Sequence, residues 1–431
     1  MSILFGVTIN QNAFIKTEEE IALNYLIGVD IGTTSTKAVL YDEHAHVIDQ
    51  FTQGYPLYRD SNGMAEQDPE KMVAAVEQVI HDAGQQIDFA KEKLLAVSFS
   101  SANQSLILLD EHFQPQSRVI TWADTRARNA ADQLKRSPLG KQLYAKTGTP
   151  IHPMSPLTKL LWLKDTAPER LAAASYFGDI KSYLFYRFFN SFKVDISIAS
   201  CTGMMNINSG DWDPTALELA GVNKDQLPEI VNGTTQASGL TNEAVAKMGI
   251  PAETPFVYGA FDGALSNLGV GAIQQNTVAI TIGTSAGVRV ITDHPVIDPQ
   301  ERLFCYAVDN GLWVVGGPLN NGGDVYQWAV EHLVTPSAVQ NEQTDPFTLA
   351  NRVIEGEPAG ANGLIFLPFL GGERAPLWDA NARGSFFGLN NLHTRADMLR
   401  AVMEGICMNI ATVYQAVCDL VGQPKSVTAT G

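Results

Sequence analysis

From Tyr25 the chain runs through three short apolar or alternating segments, YLIGVDIG, KAVLYDE and VIDQFTQGYP, with turn residues between them. That spacing predicts a meander of three strands. The period then changes. In DPEKMVAAVEQVIHDAG the apolar residues Met72, Val73, Val76, Val79 and Ile80 recur at helical spacing behind an Asp-Pro start, which predicts an amphipathic helix. LLAVSFSS follows as a buried strand. Strands alternating with helices indicate an α/β fold. Helix signals dominate from about 130 to 235, as in SPLTKLLWLKD and DIKSYLFYRFFN, and predict an insertion that shapes a substrate site. Residues 1–24 read as an N-terminal extension with a short polar helix in KTEEEIALNY.

One pattern occurs twice. VDIGTTSTKAVL, from Val29, has a near copy in ITIGTSAGVRVI, from Ile280. Each reads as an apolar strand, a Gly-Thr-Thr/Ser turn and a second strand. At 431 residues the chain is too long for one compact core, and the repeat divides it into two lobes. The boundary falls in ETPFVYGAFDGALSNLGVGA, giving domains 25–258 and 259–431.

Composition narrows the function. Hydrophobic residues make up 45% and charged residues 17%, enough for sizeable cores, while a net charge of −17 argues against a nucleic-acid partner. No apolar run approaches the roughly 20 residues that span a bilayer, and the longest, GLIFLPFLGG, is interrupted by Pro368. The first residues lack a basic region and a cleavage site, so secretion is not expected. Cys201, Cys305, Cys407 and Cys418 form no C-x-x-C pair and suit reduced, mostly buried thiols in the cytoplasm.

The repeated turn has its own chemistry. Gly32 lacks a Cβ and can take positive φ, so the backbone can approach a ligand closely. Successive amides there form an anion nest, to which the hydroxyls of Thr33, Thr34 and Ser35 add donors. Gly283, Thr284 and Ser285 supply the second copy, and the two turns facing across a cleft would grip a polyphosphate. Asp30 in the first copy, against Thr281 in the second, gives one carboxylate to hold Mg²⁺ through water. Two ordinary hairpins with glycine turns are the plain alternative.

DIGTTSTK, ITIGTSAG and FLPFLGGERAPLWDANARGSFFGL, in this order, resemble the FGGY family of carbohydrate kinases in the actin-like superfamily. The likeness runs from about Leu26 to the end. It implies two ribonuclease-H-like α/β domains with a cleft between them, and transfer of phosphate from ATP, with Mg²⁺, to a sugar hydroxyl. By the same resemblance Asp262, in VYGAFDGA, is the general base, and Lys37 follows the first turn as a basic residue or as a plain strand charge. Gly322, Gly323 and Gln327 lie at a loop-to-helix start that packs against the nucleotide, where a helix N-terminus would favour phosphate. Asn103, Gln104, Trp122, Asp124 and Arg126 line the sugar site, although the family commonly has Met-His at 103–104.

TGTPIHPMSPLTKLLWLK, ITWADTRA and DISIASCTGMMNI look closest to the gluconokinase branch, which implies D-gluconate converted to 6-phosphogluconate. Lys159, and His152 unless it is a packed loop residue, would meet the substrate carboxylate. Xylulose or another ketose or polyol is the alternative substrate, and a non-catalytic sugar sensor the alternative function. KSVTATG stops where the family continues toward an adenine-contacting loop, so the second domain is expected to be incomplete. No membrane partner is expected; a homodimer stays open.

Overall fold

The structure, a computed structural model, describes residues 23–274, 276–309, 311–334 and 345–431. Of the helix expected in KTEEEIALNY (residues 16–25), residues 16–22 lie outside them, and Asn24 and Tyr25 belong to the first strand instead.

The three predicted strands form an antiparallel meander: β1 (Asn24–Ile31), β2 (Ser35–Asp42) and β3 (Val47–Gly54). The predicted helix follows as α1 (Pro69–Gly84), its first amides capped by Asp68. Met72, Val73, Val76, Val79 and Ile80 all face the core, as their spacing required. Strand β4 (Lys93–Ser101) then lies parallel to β1, and β6 (Phe256–Phe261) parallel to β4, with β5 (Gln236–Ala237) at the edge. The sheet order is β5-β6-β4-β1-β2-β3.

The second sheet repeats this plan. Strands β7 (Thr277–Ile282) and β8 (Ala286–Thr292) make the second hairpin, with β10 (Leu312–Leu319) and β9 (Phe304–Asp309) beyond β8, and β11 (Ser426–Thr430) parallel to β7. In each sheet an antiparallel hairpin pairs with a later parallel strand, as expected of two ribonuclease-H-like halves.

The helix-rich stretch between β4 and β5 includes α2 (Pro156–Thr166), α3 (Ile180–Phe189) and α4 (Ile196–Ser200). It packs against the second sheet as well as the first. Leu160, Leu163 and Ile198 share one apolar core with Phe304, Tyr306 and Val314. Along edge strand β9, Cys305 donates its amide to the Gly148 carbonyl (2.9 Å) and Ala307 its amide to Ser200 Oγ (3.1 Å).

One expectation fails. Helix α7 (Arg395–Val421) is 27 residues long and, by length and composition, apolar enough to cross a membrane. The sequence conceals this because Arg400 and Glu404 interrupt the apolar run; they pair with each other at 2.6 Å. Leu399, Val402, Ile406, Ile410, Val413 and Val417 are buried in the core of the second lobe, so the helix behaves as a core helix. The four cysteines are free, three of them buried and Cys407 exposed.

Candidate active site

Strand register decides what meets at the cleft. Ile31, Ser101 and Phe261 end the parallel strands β1, β4 and β6 at one level. Three polar segments therefore emerge side by side: the turn at Gly32, the loop at Asn103, and Asp262. Carboxyl ends of parallel strands are where such sheets bind ligands.

The first turn is closed by the Gly32 amide donating to the Ser35 carbonyl at 3.0 Å. A Cβ on Gly32 would sit 3.0 Å from that same oxygen. A side chain there would be tight against that oxygen, and the φ of Gly32 is not positive, nor is that of Gly283, contrary to expectation. Tyr55 donates to the Gly32 carbonyl (2.7 Å), Gln67 to the Thr33 carbonyl (2.6 Å), and Trp122 Nε1 to Thr33 Oγ1 (2.9 Å). Thr34 accepts from the Tyr55 amide, and Ser35 begins β2. Lys37 is exposed opposite Asp30 across the hairpin. Asp30 is half-buried and accepts from Ser100 Oγ at 2.8 Å through Oδ1.

The second turn repeats the closure, Gly283 donating to the Ser285 carbonyl at 2.8 Å. Here α6 (Gly323–Leu333) abuts it. Gly323 donates to the Gly283 carbonyl (2.7 Å) and Asp324 to the Thr284 carbonyl (3.2 Å), while Gly322 and Val325 donate to Asp324 Oδ1. The Gly323 and Asp324 amides brace the turn, and those of Gly322 and Val325 are taken up by Asp324, so these amides are not free for phosphate, a correction to the role expected of this helix start. A Cβ on Gly322 would lie 2.7 Å from Ser285 backbone. Gln327 is exposed on the helix and bonds Glu331.

Between the turns lies a cavity of about 150 Å³ lined from both lobes, with Thr33, Asn103, Gln104, Trp122 and Asp262 on one side and Ser285, Arg289, Tyr306 and Arg374 on the other. Asp262 opens α5 (Asp262–Gly269) and accepts from the Gly263 amide at 2.6 Å. Its carboxylate is open to the cleft yet enclosed by both lobes. Desolvation raises its pKa, Asp30 adds to that, and Arg289 and Arg374 oppose it; water in the cleft moderates the rise.

The expected sugar residues divide. Asn103 bonds Cys201 Sγ (3.2 Å), and Gln104, with φ 61°, donates to the Tyr306 hydroxyl of the other lobe (3.0 Å). Trp122 stands beneath Arg374, whose guanidinium is 5.0 Å from the indole centre. Asp124 and Arg126 do not line the cleft. Asp124 is 1% exposed and accepts from the Ala65 and Arg126 amides, while Arg126 bridges Asp124 and Glu66 and covers the Trp162 ring.

Lys159 does not reach the cleft either. It is fully buried behind Gln104, donating to the carbonyls of Gln104 (2.5 Å) and Ile120 (3.3 Å). His152 is buried against Trp378, and burial holds its pKa down to about 3, so it stays neutral. Neither can meet a substrate carboxylate.

Burial lowers Lys159 to about 7, which has a measurable consequence. An unfolded lysine keeps its proton to about pH 10.4, so between those values the unfolded state binds more protons and stability rises with pH. Denaturant titrations at pH 7.5 and 9.5 should show this rise, and Lys159→Met should remove it.

Arg289, Arg374 and Tyr306 were not anticipated. Arg289 had a signal: a lone charge in the buried strand AGVRVIT. Arg374 lies in the GGERAP segment that carries the family resemblance.

Residues 25–269 match the N-terminal domain of the FGGY family of carbohydrate kinases, and residues 278–431 its C-terminal domain. The chain is 42% identical to the gluconokinase of Bacillus subtilis over 412 residues, 95% of this chain and 80% of that one. Two solved structures from Lactobacillus acidophilus, a gluconate kinase and a ligand-bound xylulose kinase, each superpose with TM-score 0.89 at 40% identity, covering 95% of this chain and 81% of theirs. With both domains matched, and the paired turns and cleft where the architecture requires them, the chain belongs to the FGGY family of carbohydrate kinases.

Proposed function

We propose that the chain transfers the terminal phosphoryl group of ATP to a hydroxyl of a sugar acid, D-gluconate, giving 6-phosphogluconate. The observation that carries this reading is the placement of Asp262 in one cavity with Thr33 of the first turn and Ser285 of the second. A hydroxyl beside Asp262 loses its proton to the carboxylate as its oxygen bonds the phosphorus and the bridging oxygen leaves with ADP. The likeness to gluconokinases supports gluconate as acceptor, and the xylulose kinase likeness makes xylulose the second reading.

The residues suit Mg²⁺. Ser100 occupies Oδ1 of Asp30 and leaves Oδ2 for a hard cation or its water. Among the described residues no group of three His, Cys, Asp or Glu could hold a metal, so the ion would rest largely on nucleotide oxygens and water. It would neutralise phosphate charge.

ADP release should be measured with Mg²⁺-ATP and gluconate, xylulose, glycerol or no sugar. Stimulation by gluconate above the others is expected. Stimulation by xylulose alone would replace the acceptor, and ATP turnover indifferent to every sugar would overturn the kinase reading.

A further inference from the structure

Among the described residues, two cations in the cleft lack an ion-pair partner, although Arg374 lies over the Trp122 ring. Arg289 projects from β8 so that its guanidinium lies over the backbones of Gly263 and Gly287; a Cβ at Gly263 would fall 2.9 Å from its Nε, and one at Gly287 2.7 Å from its Nη2. Both glycines are thus what admits the side chain. Its Nη1 is buried without a hydrogen-bond partner. Arg374 donates through Nη2 to the Leu319 carbonyl at 3.0 Å, but its Nε is likewise buried and unpaired.

Among the described residues neither arginine forms an ion pair. Glu373, beside Arg374, is already committed to the amides of Asn320 (2.7 Å) and Arg374 (2.8 Å) and to the side chains of Asn321 (3.0 Å) and Asn409 (2.6 Å). Asp262 is the carboxylate near both arginines, and it is bonded to Gly263. The two guanidiniums are close enough for their like charges to interact, and burial with that repulsion lowers Arg374 to about 10.

Unpaired, desolvated cations are costly unless a ligand completes them. A planar fork of donors matches a carboxylate in particular. A neutral acceptor would leave these donors unsatisfied, which is how a polar site rejects the wrong substrate.

We propose that Arg289 and Arg374 form the subsite for the acceptor's carboxylate, with Arg289 setting the preference for a sugar acid over a neutral polyol. The inference rests on the sugar-acid reading above. It moves the recognition of the acid from Lys159 and His152, which the fold withdraws, to two residues brought together from β8 and the segment between the short strand Ile365–Leu367 and α7.

The test compares gluconate with glucitol, the polyol of the same length that lacks the carboxylate. In Arg289→Gln, the ratio of kcat/KM for gluconate over glucitol should fall about 10- to 10²-fold, the range for a hydrogen bond to a charged group. Calorimetry without nucleotide should show weaker gluconate binding, and Arg289→Lys should recover part of it. Arg374→Gln provides a second, independent variant, with circular dichroism checking that each is folded. A proportional loss for both acceptors, with gluconate affinity retained in the absence of nucleotide, would assign Arg289 to the transferred phosphoryl group and overturn the proposal. Failure of the wild-type chain to phosphorylate gluconate is a separate result, which overturns the sugar-acid reading and this inference with it.

Discussion

Asp262→Asn lowers turnover about 10²- to 10⁴-fold, the range for loss of a general base, while acceptor affinity and the unfolding midpoint change little. Asp262 lies at the first position of α5 with its side chain open to the cleft, so the amide can occupy the same place without disturbing a core. Asparagine cannot take the proton from the attacking hydroxyl. The pH profile gives the same residue a second signature. Enclosure raises the Asp262 carboxyl, and a base acts only when ionised, so kcat/KM should fall on acidification at a pH above the usual carboxylate range. Steady-state ADP release against pH, with calorimetry of acceptor binding, checks both. A variant that keeps near wild-type turnover would remove Asp262 from the reaction.

Gly259→Ala destabilises the fold by about 4 kcal/mol, at the upper end for a single substitution. The pairing of β6 with β4 shifts register between Val257 and Ala260. Gly259, with φ 66°, makes that irregularity possible, and a Cβ there would lie 1.8 Å from the Phe99 carbonyl oxygen. No rotamer relieves a backbone clash. The neighbouring strand would have to separate, and the segment that delivers Asp262 to the cleft would move with it. Gly239→Ala is the control: its φ is 80° but nothing lies within 4 Å of its Cβ, so only the conformational strain of about 1–2 kcal/mol applies. Urea unfolding of the two variants should separate steric clash from strain. Equal costs would show that φ alone makes Gly259 necessary.

What could be read from the sequence was local. The buried face of α1, the strand that ends at Asp262 and both glycine turns follow from spacing and turn chemistry within a few residues. The reading went astray where a side chain's partner is distant in sequence. Asp124 looks like a sugar ligand until Arg126 joins it to Glu66, and Lys159 looks like a carboxylate partner until it is seen donating to Gln104 and Ile120. Arg289 and Arg374 were missed for the converse reason. Each is unremarked in its own segment, and only the apposition of the lobes shows two unpaired guanidiniums in one cavity. The turn glycines were assigned correctly to a turn but not for the sign of φ, which is not positive at either; at Gly32 the turn's own carbonyl crowds a side chain, whereas at Gly283 it leaves ordinary contact distance.

Strand β9 ends the second sheet, and an open sheet edge invites pairing with another chain. Here that edge reads FCYAVD, and the first lobe covers it: Gly148 and Ser200 take up the amides of Cys305 and Ala307. The insertion between β4 and β5 thus shields a strand prone to aggregation. The second lobe expressed by itself would expose that apolar edge and should self-associate, so the two halves cannot be separated into independent soluble modules despite repeating one architecture.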